Sequence, residues 1–462
     1  MINLDKFFSP KNIVVIGVSR NPNKVGHVLY RNLVDGDFPG EIFIVNKEAE
    51  TVLNKKSYKS VTQIREKIDL GIIAVPAKYV LDVVADCNKK GIKDLVIITS
   101  GFSEIGNNEL ENKLATYLKT NNMRMIGVNG LGIFDARAKI DSIFLPRYRM
   151  ERPKAGGISF VTQSGAVGST VLDLATKRGH NFAKFVSYGN GTVIDESDII
   201  EYLVKDKYTN VICLYLEAVK DGSKFIRVMR EACKKKPVIV LKGGLTPEGT
   251  KATLSHTGSL AGDAEVYLGI FKQVGLIRAE NLEQMLNFAA IFEKSIRPKG
   301  NRVQVITNGG GFGILSADAI ATDKKLKLAE LSALTVKTLK LKFPDIVIVN
   351  NPMDLVGDAT TRRYRIALEY CMADTNIDII LLIVLYQTPM LSTDVVDIIT
   401  EYNHYNKKPI IVVSTGGEFT EILREALAKN NVVTFTFPEE AVKAISALVQ
   451  YYVKDKLFRL TK

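Results

Sequence analysis

Short apolar runs alternate with longer amphipathic stretches along the first third of the chain. Residues 13–18, 42–46, 70–75, 95–100 and 125–129 are rich in Ile, Val and Leu, carry almost no charge and end in small or polar residues. Runs of that length and composition predict strands buried on both faces. Between them the apolar positions recur at helical spacing, as in 77–90, which closes on Gly91. Buried strands alternating with helices predict a parallel, doubly wound α/β sheet. The stretch 144–157, with Pro146, Pro153 and several arginines, reads as a linker.

The remainder of the chain repeats itself. Residues 158–173 read Ile-Ser-Phe-Val-Thr-Gln-Ser-Gly-Ala-Val-Gly-Ser-Thr-Val-Leu-Asp, and 303–318 read Val-Gln-Val-Ile-Thr-Asn-Gly-Gly-Gly-Phe-Gly-Ile-Leu-Ser-Ala-Asp. Without gaps, Thr162 meets Thr307, Gly165 meets Gly310, Gly168 meets Gly313 and Asp173 meets Asp318. Later, Lys-Lys-Pro-Val-Ile-Val at 235–240 meets Lys-Lys-Pro-Ile-Ile-Val at 407–412. Two similar α/β domains in tandem follow, joined near 297–300. After the matched glycine pairs, Gly243-Gly244 and Gly416-Gly417, the first copy runs about 15 residues longer. The extra segment is small and polar, reads as a loop, and holds His256; the second copy has no His at the corresponding place.

Composition narrows the class. With 462 residues, 46% hydrophobic and 24% charged, the chain has material for about three domains and none of the bias of disordered or fibrous sequences. No run of roughly 18 uncharged apolar residues is present, so no membrane-spanning helix is expected. The N-terminus lacks a signal-peptide apolar region, which points to the cytoplasm. The net charge of +12 comes from lysines spread thinly along the chain, which read as a solvated surface; no aromatic-basic module for nucleic acid accompanies them. Cys87, Cys213, Cys233 and Cys371 are scattered and read as reduced thiols, with no metal or disulfide spacing. Neither a paired-histidine metal motif nor a P-loop occurs.

Candidate chemistry gathers at strand ends. The first strand closes in Gly17, Val18, Ser19 and Arg20, and Lys24 and Gly26 follow where a helix opens. Such a turn sets backbone N–H groups and a positive helix end against phosphate, although Gly there also serves tight packing. The spacing departs from Gly-x-Gly-x-x-Gly, so a phosphorylated nucleotide other than a dinucleotide fits better. Asn46, Val75, Pro76, Ser100, Gly101, Phe102 and Asn129 close the neighbouring strands, where ligands of such sheets bind. Gln163, Ser164, Gly165 and Ala166 again join a strand to a helix, as do Asn308, Gly309, Gly310 and Gly311. Both turns are ready anion sites and suggest two phosphate stations. His256, among Ser255, Thr257, Gly258 and Ser259, has the access a nucleophilic imidazole needs. Glu217 ends the apolar run 211–217 and is a candidate partner for it; its counterpart in the second copy is Leu385. His27, His180 and His404 have no such context and read as surface or helix residues.

These motifs together resemble the alpha subunits of archaeal ADP-forming acetyl-CoA (acyl-CoA) synthetases, in the succinyl-CoA synthetase superfamily. The segment 255–262, Ser-His-Thr-Gly-Ser-Leu-Ala-Gly, is similar to the family's phosphohistidine loop, and Asn351-Pro352-Met353-Asp354-Leu355 to a signature of its last domain. The resemblance spans essentially the whole chain. It implies a Rossmann-like CoA-binding domain, 1–145, followed by two flavodoxin-like ligase-CoA domains, 146–296 and 297–462. It implies coenzyme A at the residues named from Gly17 to Asn129, phosphate at the two glycine turns, and a phosphoryl group carried by His256 with Glu217 orienting it. The reaction implied is acyl-CoA, phosphate and ADP going to acid, CoA and ATP through an acyl phosphate. ADP and Mg2+ would sit on an ATP-grasp beta subunit, in an α2β2 heterotetramer. The alternative is a CoA-binding regulatory protein on the same domains without ligase activity. The basic stretch 141–150 departs from the family pattern.

Overall fold

Seven short strands and their crossovers make the first sheet of the computed structural model, which describes residues 3–257 and 263–454; the side chains of 254–257 and 454 lie outside that description. The strands are β1 (Asn12–Ile16), β2 (Glu41–Val45), β3 (Thr51–Val52), β4 (Lys55–Tyr58), β5 (Leu70–Ile73), β6 (Asp94–Ile97) and β7 (Arg124–Gly127). Their order is β3-β4-β2-β1-β5-β6-β7, all parallel except β3 against β4. The apolar runs become strands because both faces are covered. Ile13 and Val15 pack on Leu29 and Leu33 of the helix Val25–Asp35, whereas Val14 and Ile16 join Val80 and Val84 of the helix Val80–Lys90 in a second core. Strand order reverses between β1 and β5, which puts the ligand crevice outside the carboxyl ends of these two strands.

The second sheet comprises β8 (Gly132–Asp135), β9 (Ile140–Asp141), β10 (Ala155–Thr162), β11 (Phe182–Ser187), β12 (Val211–Leu216), β13 (Val238–Lys242) and β14 (Ile277–Arg278), in the order β14-β13-β12-β10-β11-β8-β9. In the hairpin β8–β9, β8 pairs antiparallel with β11, and the hairpin comes from inside the first 145 residues, so the chain joins the second sheet before the proline-bearing stretch begins. That stretch crosses as a pinned connection, and its last residues already belong to β10.

The third sheet holds β15 (Arg302–Thr307), β16 (Lys327–Leu328), β17 (Met353–Asp354), β18 (Ile379–Ile383), β19 (Ile410–Val413) and β20 (Val433–Phe435), in the order β16-β15-β18-β19-β20 with β17 also on β15. The parallel core β14-β13-β12-β10-β11 has the same order, so the internal repeat is a duplicated flavodoxin-like sheet. The described part of the extra length in the first copy is a helix, Pro247–Thr257, and not the loop its small polar residues suggested. Thr246 and Pro247 start it: Gly249 N donates to Thr246 Oγ1 at 3.1 Å, and Pro at the first position costs no hydrogen bond.

By compactness the chain forms two units, Met1–Leu282 and Glu283–Lys462. The break falls ahead of 297–300 because the helix Leu282–Lys294 packs with the later residues: Phe292 meets Tyr451 edge-on at 5.6 Å, and Lys294 Nζ donates to Ala428 O at 3.1 Å.

Candidate active site

Two cavities open where the strands of the first unit end. The smaller, of ≈ 420 Å³, is lined by Gly17, Asn46, Lys47, Lys59, Val75, Pro76 and Tyr79 among others. Gly17 has φ +99°, and a Cβ there would lie 2.3 Å from Ala74 O; at Gly26 it would lie 2.0 Å from Gly17 O. Gly26 therefore lets helix Val25–Asp35 press on the β1 turn, and Gly17 lets that turn pass close to the end of β5, which is a packing role as well as a shaping one. Asn46 spends its side chain on that turn, donating to Val18 O at 2.6 Å and accepting from Glu48 N and Ala49 N. Arg20 Nε donates to Thr51 O at 3.3 Å, Ser19 Oγ accepts from Asn21 N at 3.1 Å, and Lys24 is exposed ahead of the helix. Sequence reasoning missed Tyr79 and the cations near it. Lys47 Nζ stands 5.3 Å and Lys78 Nζ 4.9 Å from the Tyr79 ring centre, an arrangement suited to a planar base with phosphates.

The larger cavity, of ≈ 670 Å³, joins the two sheets of the first unit. Val75, Pro76, Ser100 and Asn129 line it from the first sheet, and Gln163, Ser164, Gly165 and Ala166 from the second. The helix Gly165–Lys177 thus presents its N-terminus to the same space as the strand ends. Ser164 Oγ accepts from Val167 N at 3.3 Å, and Ser164 O takes Gly168 N at 3.1 Å. The remaining first-turn donors belong to Gly165 and Ala166, which line the cavity. A Cβ at Gly165 would meet nothing closer than Leu131 Cβ at 3.6 Å, so packing does not demand glycine there. At Gly168 it would strike Phe185 Cζ at 2.7 Å and Thr162 Cγ2 at 2.9 Å. Of the two glycines, Gly168 serves helix–strand contact and Gly165 leaves room for a ligand.

Glu217, 8% exposed, stands one residue past β12. Gln163 Oε1 accepts from Glu217 N at 2.9 Å and Ala218 N at 3.0 Å, which ties the glutamate's backbone to the cavity lining. Burial, and then the Glu217 charge, push the Tyr215 phenol up to about 12. Lys242, at the end of β13, lies over the Tyr267 ring at 4.6 Å; burial lowers its pKa and the Glu217 carboxylate opposes that. Lys242 ends an apolar strand run as Glu217 does, and that shared pattern was the signal for it. Directly after it, a Cβ on Gly243 would come within 2.8 Å of Tyr215 Oη and 3.8 Å of Glu217 Cγ. The root of the His256 segment is therefore pressed against Tyr215, with Glu217 nearby. His256 itself falls on the last turn of Pro247–Thr257, and its side chain, with residues 258–262, lies outside the described residues. The same helix lies against the turn Ser103–Ile105, which follows Ser100, Gly101 and Phe102.

Family models match three consecutive stretches: a CoA binding domain at 11–135, a succinyl-CoA ligase-like flavodoxin domain at 155–292 and a ligase-CoA domain at 303–456. The alpha subunit of ADP-forming acetate–CoA ligase II from Pyrococcus furiosus is 38% identical over 97% of both chains. The chain belongs to the ADP-forming acyl-CoA ligase alpha-subunit family. A family relative from Nitrosopumilus maritimus, a 4-hydroxybutyrate–CoA ligase, is 33% identical and is longer, this chain covering 65% of it. A solved family structure, the dinucleotide forming acetyl-coenzyme A synthetase 1 of Candidatus Korarchaeum cryptofilum in complex with phosphate and ADP, superposes with a TM-score of 0.92 at 32% identity over 99% of each chain.

Not every residue suggested by the family resemblance faces a cavity. Phe102 is fully buried in the core beside Leu114 and Val128 and lines neither one. Gly101 N donates to Glu104 Oε1 at 2.5 Å, and Gly101 likewise lines neither. Of the histidines expected at the surface or on helices, His27 is on helix Val25–Asp35 though buried, its Nδ1 2.8 Å from Ser19 O, and His404 is exposed on a helix, whereas His180 is buried and off any helix. In the second unit, Asn308 repeats the Gln163 tie: its Oδ1 accepts from Leu385 N at 2.9 Å and its Nδ2 donates to Leu385 O at 3.1 Å. Leucine stands there where the first copy has Glu217. Gly309 is packed on Leu385 and Gly310 borders Asp354, while a Cβ on Gly311 would meet nothing within 4 Å. Among the described residues no cluster of His, Cys, Asp or Glu could hold a metal ion, all four cysteines are buried, and no helix is long and apolar enough to cross a membrane.

Proposed function

We propose that this chain is the alpha subunit of an NDP-forming acyl-CoA synthetase that converts an acyl-CoA, phosphate and ADP to the acid, CoA and ATP. The observation that carries this reading is the single ≈ 670 Å³ cavity shared by the strand ends of the CoA-binding sheet and the N-terminus of Gly165–Lys177. The cavity beside Tyr79, with lysines near its ring, fits the nucleotide end of coenzyme A. The larger, uncharged cavity fits the thioester and a phosphate beside it.

In the proposed sequence, a phosphate oxygen attacks the thioester carbonyl carbon, the C–S bond breaks, and CoA leaves as the thiol with one proton. The N–H groups of Gly165 and Ala166 hold the phosphate oxygens and offset their charge without a fixed metal. The His256 imidazole then attacks phosphorus, the P–O bond to the acyl oxygen breaks, and the acid leaves as carboxylate. Glu217, fixed through Gln163, orients the imidazole and balances its positive charge. The phosphoryl group finally passes to ADP. ADP/ATP and Mg2+ belong to an ATP-grasp beta subunit, and α2β2 is the assembly we infer from relatives named as alpha subunits. The turn Asn308, Gly309, Gly310 and Gly311 supplies a second helix tip for phosphate in the other unit.

The test is purification of the chain with a co-expressed ATP-grasp subunit, followed by ATP formation from acyl-CoA, phosphate and ADP. Turnover by the native pair and none by His256→Ala supports the proposal. Binding of CoA without turnover would favour the regulatory alternative.

A further inference from the structure

The basic stretch after β9, given no role by the resemblance, is a built wall of the larger cavity. Asp141 is fully buried and pairs with both Arg147 Nε at 2.9 Å and Arg152 Nε at 3.0 Å. Arg152, itself only 3% exposed at the side chain, donates through Nη2 to Leu145 O at 2.7 Å. From the first sheet's helix, buried Asn32 Nδ2 donates to Ile143 O at 2.6 Å and Leu145 O at 3.0 Å. Phe144 N donates to Leu131 O at 3.4 Å. These bonds leave Phe144 and Leu145 lining the cavity beside Leu131, and Leu131 Cβ is the nearest neighbour of the open face of Gly165. The apolar side chains therefore adjoin the helix tip at which the proposed acyl phosphate forms. None of the described residues lining this cavity is charged.

We propose that Leu131, Phe144 and Leu145 are the acyl-selecting surface, held by the Asp141–Arg147–Arg152 cluster and Asn32 as positioning residues. The inference rests on the synthetase reading and adds the chemistry of its substrate: an uncharged acyl tail longer than acetyl. A second carboxylate has no cation to meet there, and burying it unpaired is costly. Each methylene packed on the wall favours the longer thioester by about fourfold in kcat/KM.

The chain, paired with its ATP-grasp subunit, is assayed for ATP formation with acetyl-, isovaleryl- and succinyl-CoA. Isovaleryl-CoA is expected to exceed acetyl-CoA by at least about tenfold, and succinyl-CoA to fall below both. Phe144→Ala is expected to lower the isovaleryl-to-acetyl ratio about tenfold. Leu145→Arg is expected to raise the succinyl-to-isovaleryl ratio by a similar factor, since it puts a cation in the cavity. Arg152→Lys, which loses the guanidinium fork but keeps the charge, should move the first ratio as Phe144→Ala does, a change that lost stability alone would not produce. Ratios equal to wild type in all three variants overturn the wall while leaving the synthetase intact. No ATP from any thioester removes the synthetase reading and the wall with it.

Discussion

Replacing Gln163 by Leu should separate the architecture of the site from its chemistry. The Gln163 carbonyl accepts from Glu217 N at 2.9 Å and Ala218 N at 3.0 Å. Leucine fills similar space but leaves both N–H groups without that acceptor. An unsatisfied buried amide costs about 1–3 kcal/mol, and Gln163 is only half-buried, so water can reach part of the gap. The expected loss is therefore about 2–4 kcal/mol, a fall of roughly 5–10 °C in the melting temperature. The same ties set where the Glu217 carboxylate starts from. Loosening them should slow phosphohistidine formation by about ten- to a hundredfold, or about 1.4–2.7 kcal/mol in the barrier. The assay is rapid-quench labelling by acyl-CoA and radioactive phosphate, run well below the variant's melting temperature. Gln163→Glu keeps an acceptor and should recover much of the lost stability. Tyr364→Phe is a control in the other unit: it removes the buried hydrogen bond from Tyr364 Oη to Ile383 O, 2.8 Å, and should cost about 1 kcal/mol without slowing labelling. If Gln163→Leu labels as fast as wild type while losing stability, the tie is purely structural and the argument for Glu217 positioning fails.

Glu217→Gln should lower turnover sharply with little change in CoA affinity, measured by steady-state kinetics and by calorimetric titration; unchanged turnover would demote the residue. The two glycines of one helix turn should behave oppositely. Gly168→Ala must push Phe185 and Thr162 aside and should destabilise by about 1–3 kcal/mol, whereas Gly165→Ala should leave the melting temperature within about 2 °C yet weaken phosphate binding. Glu196 gives a pH test. Burial, then the Asp195 carboxylate, raise it from 4.5 to about 7, so the folded chain keeps a proton that the unfolded chain releases at lower pH. Stability is therefore lost as pH rises from about 4.5 to 7, and Glu196→Gln should gain about 3 kcal/mol at pH 8 and almost nothing at pH 4. An equal gain at both pH values in denaturant unfolding would contradict this.

The strands of the first sheet and the duplication were legible because buried parallel strands write long apolar runs, and two copies write them twice. The turn at Gln163 was legible for the same reason: its strand and helix flank it directly. Less legible was the chain's early entry into the second sheet, since β8 and β9 are short and β11, the partner of β8, lies about 50 residues on. The His256 segment reads as a loop because its small polar residues carry no helical stripe, yet Thr246 and Pro247 set a helix start. Phe102 stood at a strand end where ligands bind but is absorbed by the core, whereas Asn46 both bonds the β1 turn and lines the smaller cavity. The stretch 141–150 read only as basic, because a buried ion pair such as Asp141 with Arg147 and Arg152 is visible only once burial is known.

The proposed phosphoryl transfer depends on one covalent bond, between phosphorus and the His256 ring. Incubating the native pair of subunits with an acyl-CoA and radioactive phosphate, without ADP, and then digesting with trypsin under alkaline conditions tests it directly. The label should reside in the peptide spanning 252–272, be released by acid, and be discharged as ATP when ADP is added before digestion. Label on any other peptide, or ATP formed with no labelled intermediate, would contradict the account.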